Sequence, residues 1–214
     1  MEKFKLFEKI NTKELLFKII FTAIGGMILG FGIAFNAANT WGNDPISVFY
    51  DGISRFFNIE FGLASNIANY SLFIIVLICG RRYINIGTFI YTLPLGSFIT
   101  LGLSLYKILN IPNSFIGHLI SAILGCTMLF VGISFFIAAN IGVDPWTGLA
   151  LILKDKAQKE YKVFKVLIDV VALIIGWILG GKVGVTTVVA AFLGGPIIQK
   201  VASFLEEKVV SKFK

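Results

Sequence analysis

Six long apolar runs leave this chain few folds to adopt: residues 16–38, 61–79, 84–106, 115–139, 163–180 and 183–205. A helix that crosses the hydrocarbon layer needs about 20 mostly apolar residues at about 1.5 Å rise each, and every run approaches that length. Lipid offers no partner to an open backbone, so such runs are read as helices. Of 214 residues, 57% are hydrophobic and 14% charged, against about 25% charged in an ordinary soluble domain. The sequence therefore predicts an all-α membrane protein with six transmembrane helices. Arg81-Arg82 and the segment Asn110-Ile111-Pro112-Asn113 mark two clear breaks between spans. The lysine-rich start superficially resembles a signal peptide, but its apolar stretch is too long for one, and a retained first helix is expected.

The distribution of charge supports that count. Six spans put both ends of the chain on one face, together with the second and fourth loops. Of the nineteen lysines and arginines, only Arg55, Lys107 and Lys182 then fall on the other face. The positive-inside rule orients both termini toward the cytoplasm of a bacterial plasma membrane. Basic residues gathered at the chain ends and in a few loops suit orientation in a lipid bilayer, not a nucleic-acid groove. Cys79 and Cys126 lie in apolar runs without metal-ligand spacing and read as small hydrophobes.

The chain also repeats itself. At an offset of 100 residues, seven of the fourteen positions from 32 to 45 are identical, including Gly42, Asp44 and Pro45 with Gly142, Asp144 and Pro145. A one-residue slip then aligns Gly87-Thr88 with Thr186-Thr187. The expected organisation is a basic N-terminus (1–14), a first repeat of three spans (15–109), a second repeat (110–205) and a basic tail (206–214). Three spans are an odd number, so the second copy enters the membrane from the opposite side. Inverted repeats of this kind recur in secondary transporters, with the site at the repeat interface. The segment Gly42-Asn43-Asp44-Pro45 and its echo Gly142-Val143-Asp144-Pro145-Trp146 resemble the duplicated signature of the YczE/YyaS/YitT family of bacterial integral membrane proteins, as does the run from Gly180 to Thr187 followed by Gly195-Pro196. The resemblance is nearer to the YczE-like branch and implies an inner-membrane protein, without a substrate. Ile46 departs from the pattern where the second copy has Trp146.

Several residues stand out against the apolar background. Asp44-Pro45 and Asp144-Pro145 each join an N-cap to a proline at the first helical position. The helices they open, about 45–57 and 145–156, are too short to cross a 30 Å core and are interfacial or re-entrant. Either they are simply capped helix starts, or their N-termini face a solute from the two sides. Asp169 lies within the fifth apolar run, where a carboxylate costs about 2.5–3.5 kcal/mol on insertion scales. It pairs with Lys165 one turn away, or it serves a proton or cation. Asn69 occupies the equivalent place in the second span, with Asn66 beside it; the two line a cavity or bind neighbouring helices together. Pro94 and Pro196 are expected to interrupt the third span of each repeat. Gly26-x-x-x-Gly30 and Gly176-x-x-x-Gly180 match the small-residue packing motif, and Trp41, Trp146 and Trp177 are expected near the membrane interfaces.

The functional expectation is a transporter or permease for a small polar solute or ion, working by alternating access. Its substrate-binding residues would be Asp44, Pro45, Asn66, Asn69, Asp144, Pro145, Trp146 and Asp169. No nucleotide-binding loop, metal motif or catalytic triad occurs, so no enzyme activity, cofactor or metal is expected. The alternatives are a solute-capturing subunit docked to a separate ATPase and a non-transporting accessory factor; a homodimer is a further expectation.

Overall fold

A computed structural model describes residues 12–213. Among them there are nine α-helices, two short 3-10 turns and no strand. In chain order the helices are α1 (Thr12–Ala38), α2 (Pro45–Phe57), α3 (Phe61–Cys79), α4 (Ile86–Thr92), α5 (Leu95–Leu109), α6 (Phe115–Ala139), α7 (Pro145–Ala157), α8 (Tyr161–Ile178) and α9 (Val185–Lys208). Residues 1–11 of the expected basic N-terminus lie outside the described residues. Five stretches are long and apolar enough to cross a membrane, α4 and α5 counting together as one. The fifth apolar run forms α8, whose 18 residues carry Lys162, Lys165 and Asp169. It is the one expected span that does not stand out by length and composition.

The long helices pack through their glycines. α1 and α6 run antiparallel in the most extensive contact of the fold, and their backbones nearly touch. A Cβ on Gly132 would come within 2.5 Å of the Leu29 nitrogen, and one on Gly32 would strike the backbone at Leu129. Gly25 and Gly125 extend the same seam, facing Phe135 and Asn36. Lipid tails are as apolar as Leu, so helices in a bilayer gain little from burying side chains and associate by close approach instead. Of the glycines in the anticipated motifs, Gly30 faces Phe98 of α5 and Gly176 faces α2, while Gly26 is nearly free of neighbours. Gly180 falls after α8 with φ +95°, in a turn that favours glycine.

The third-span expectations divide. Pro94 breaks the run into α4 and α5, and the freed Gly96 N–H donates to Asn66 Oδ1 at 3.0 Å. Pro196 sits inside a continuous α9 and does not interrupt it. The chain end folds back: the Phe213 ring stacks on Phe17 at 3.9 Å, and Val210 joins a small core with Phe21 and Ile141. Thus the start of α1, the end of α6 and the end of the described chain share one end of the bundle.

Contacts between the sequence halves come in pairs. The Trp41 carbonyl accepts from Thr186 N–H at 3.0 Å, and the Ile141 carbonyl accepts from Gly87 N–H at 2.9 Å. The same one-residue slip seen in sequence separates those partners. Likewise α2 packs on α8, and α7 on α3. If backbone contact at the α1–α6 seam holds this arrangement, Gly132→Ala should cost about 1–3 kcal/mol through overpacking. Gly195→Ala, with nothing within 4 Å of its Cβ position, should change little. Thermal unfolding of the two purified variants tests this.

Candidate functional site

Both short helices begin as the Asp-Pro pairs require. Asp44 Oδ2 accepts from Ser47 N–H at 3.3 Å, and Asp144 Oδ1 accepts from Thr147 N–H at 3.0 Å. Pro45 and Pro145 occupy the first turns, where a missing N–H costs nothing. Each helix ends on a residue with left-handed backbone at the equivalent place, Asn58 at φ 52° and Gln158 at φ 53°. The first cap is not placed at the rim. Asn43 Nδ2 donates to the Ile33 carbonyl at 3.0 Å, five residues before α1 ends. At about 1.5 Å per residue this draws the loop back along α1 by about 7 Å. Asp44 Oδ1 is buried there without a hydrogen-bond partner among the described residues.

The two halves then meet through a buried polar chain. Trp146 Nε1 donates to the Tyr50 hydroxyl at 2.8 Å, and that hydroxyl donates to Asn69 Oδ1 at 3.2 Å. Asn69 Nδ2 also donates to the Ser65 carbonyl at 2.9 Å. Tyr50, Asn69 and Trp146 are 2%, 1% and 7% exposed. Trp146 is therefore a buried strut between α7 and α2, not a membrane-interface anchor; Trp177, by contrast, is exposed.

The equivalent place in the other half is filled differently. Tyr50 is replaced there by Ala150, Trp146 by Ile46, Ser65 by Lys165 and Asn69 by Asp169. Lys165 Nζ donates to Asp169 Oδ1 at 2.5 Å. The two side chains stay 31% and 29% accessible. With Ala150 there is no phenol to consume the polar groups of α8, so they pair with each other and remain open. The charges of Asp44 and Asp144 lie within electrostatic range of this pair, and Tyr50 and Tyr91 lie within range of both aspartates.

The structure thus gathers Asp44, Asp144, Asp169 and Lys165 in one electrostatic neighbourhood, with Pro45 and Pro145 as helix starts and Trp146 and Asn69 on the adjoining strut. Asn66 is committed to the break before α5. Tyr50, Tyr91 and Lys165 complete the neighbourhood and were not among the expected binding residues. Tyr50 lies beyond the matched positions 32–45, where the two copies have diverged, and no local signal marks it. No group of three or more His, Cys, Asp or Glu able to hold a metal occurs among the described residues.

Apolar helices of membrane-spanning length around a few enclosed charges define a helical integral membrane protein. Comparison with known families agrees. Residues 16–203 match a family of unknown function, DUF6198, and the chain belongs to it. It is similar to the uncharacterized protein YyaS of Bacillus subtilis, at 24% identity over 91% of this chain and 97% of that one. It is likewise similar to the uncharacterized membrane protein YczE of the same organism, at 24% identity over 87% of this chain and 86% of that one. An uncharacterized Haemophilus influenzae protein is 24% identical over 80% of this chain and 77% of its own length. No solved structure matches.

The strut makes a direct prediction. Tyr50→Phe leaves the Trp146 N–H and the Asn69 amide without their shared partner, at an expected cost of about 1–3 kcal/mol. In a double-mutant cycle with Asn69→Leu, the second substitution should cost less in the Tyr50→Phe background, read as thermal unfolding in detergent.

Proposed function

We propose that the protein is a transporter or permease for a small polar solute or ion, built as two inverted three-helix repeats with α8 as the fifth of six spans and both termini in the cytoplasm. The observation that carries this reading is the Lys165–Asp169 pair, accessible on α8 and within electrostatic range of the two helix-capping aspartates, Asp44 and Asp144. An ionisable pair at that position is costly to insert and is retained where a solute or coupling ion uses it. The paired contacts between halves support the repeat. Trp41 with Thr186 and Ile141 with Gly87 are the same contact made in opposite directions, as two copies entering from opposite faces would make it.

In this mechanism Asp169 receives the solute or its coupling ion, and Lys165 holds the carboxylate in place between cycles. Asp44 and Asp144 fix the half-helix starts that frame the site. Rocking of one repeat against the other exposes it alternately to the two faces.

Thermal unfolding against a panel of anions, cations, amino acids and vitamins tests the reading. A ligand at 100 times its Kd adds about 2.7 kcal/mol to the stability of the native state. The expected result is a specific hit that disappears in Asp169→Asn, while the unliganded variant melts within a few degrees of wild type. Asp144→Ala should reduce uptake into proteoliposomes more than it reduces folded yield. Absence of any hit, with ATPase subunits co-purifying, would replace this reading with that of a solute-capturing subunit.

A further inference from the structure

A cavity lies away from that neighbourhood, where α3 ends and α7 passes beneath the 3-10 turn Arg81–Tyr83. It encloses about 460 Å³ between Arg81, Arg82, Lys156, Asp155, Cys79 and Ile152, a volume typical of small-molecule sites. Three of these side chains are cationic and one is a carboxylate. Asp155 is already engaged, by the Arg82 guanidinium and by the Tyr83 hydroxyl. Arg81 and Lys156 form no ion pair or side-chain hydrogen bond among the described residues, so the cavity carries uncompensated positive charge.

The corresponding place in the other half is packed differently. At the other end Gly52 lets the α2 backbone rest on Gly176, and Gly181 is pressed against Val48 and Gly52. Here Ile152 stands where Gly52 would be, with its side chain against Gly80. The isoleucine stands between the turn and α7, where at the other end glycines let the backbones meet. Positions 81 and 156 correspond to Gly181 and Phe56, so the two unpaired cations have no counterpart either.

We propose that this cavity binds a phosphate-bearing anion, supplied by the headgroup of an anionic phospholipid or by a soluble phosphate. A guanidinium offers parallel N–H donors that fit phosphate oxygens, and a lysine adds a mobile point charge. The site lies at the end of α3, a membrane-length helix, so it sits at the boundary between bilayer and water. On that boundary phospholipid phosphates are the most concentrated anions. The inference does not depend on the transport reading.

Cys79 lies in the cavity wall and is exposed, which makes it a reporter of occupancy. In a Cys126→Ala background it is the only thiol, because the chain has two cysteines. Its alkylation by N-ethylmaleimide is compared in vesicles of phosphatidylcholine, of phosphatidylcholine with phosphatidylglycerol, and of phosphatidylcholine with millimolar inorganic phosphate. A site four-fifths filled slows the reaction about fivefold by mass action. Slowing by phosphatidylglycerol alone identifies a lipid headgroup, and slowing by inorganic phosphate identifies a soluble ligand. Arg81→Gln with Lys156→Gln should abolish the protection. Lys208→Gln with Lys212→Gln, which removes the same charge at the chain end, should leave it intact. Equal rates in all three vesicle conditions, or equal loss of protection in both double variants, would overturn the proposal. The wild-type comparison stands even if the cavity variant folds poorly.

Discussion

The backbone contact between α1 and α6 is the constraint on which the rest of the molecule depends. Side-chain burial gives little attraction between helices in lipid, so two helices that must stay together do so by bringing their backbones into dispersion contact. Gly25, Gly32, Gly125 and Gly132 make this possible over several turns. Because the pair is antiparallel, the segments after α1 and after α6 leave at opposite ends of the bundle. Each then finds its backbone partners on the other half, at Thr186 and at Gly87. The polar loops are therefore satisfied by protein at both ends, which a membrane-embedded backbone requires. The placement of Asp44 inside the bundle follows from that return path.

Within this paired frame, one substitution pattern breaks the symmetry. In one half an aromatic pair, Tyr50 and Trp146, fills the space beside α3 and ties up Asn69. In the other, Ala150 and Ile46 leave the space beside α8 to Lys165 and Asp169. A buried phenol that donates to the Asn69 carbonyl oxygen and accepts from both the Trp146 indole and the Asn69 amide has no valence left for a visitor. A lysine–carboxylate pair that keeps nearly a third of its surface does. The repeat thus supplies two equivalent places, one occupied by the protein's own side chains and the other left able to exchange partners.

Much of this was legible in the sequence, for identifiable reasons. Hydrophobic run length marks membrane helices because the bilayer sets their length, and Asp-Pro marks helix starts because the cap and the ring act locally. Both short helices accordingly begin where they were expected, at Pro45 and Pro145. The register slip between Gly87 and Thr186 was also visible and reappears in the hydrogen bonds. What local reasoning could not supply was the destination of each polar side chain. Asn66 read either as a cavity residue or as a tie between helices, and it takes the Gly96 N–H at the break that Pro94 makes. Trp146 read as an interface residue and instead crosses to Tyr50. Pro94 and Pro196 have the same local chemistry, yet only the first divides its helix, since only there does Asn66 stand ready to take the freed N–H. The α8 run departs from the other spans in composition because it carries three charged residues, Lys162, Lys165 and Asp169.

The two ends of the bundle are closed by forces of different kinds. At one end Gly52, Gly176 and Gly181 bring backbones together, and Asp51 accepts the Lys182 N–H at 2.8 Å. Dispersion contact of that sort falls away within about an ångström of separation, so this closure resists small displacements and then fails at once. At the other end Ile152 keeps the turn off α7, and the joint is made by flexible side chains, Arg82 and Tyr83 on Asp155. Long side chains follow a moving partner, and an ion pair exposed to water yields to salt and to competing anions. The compliance of the bundle therefore resides where α3 meets α7. The resistance resides where α2 meets α8, and there Gly52 stands where the second copy has Ile152.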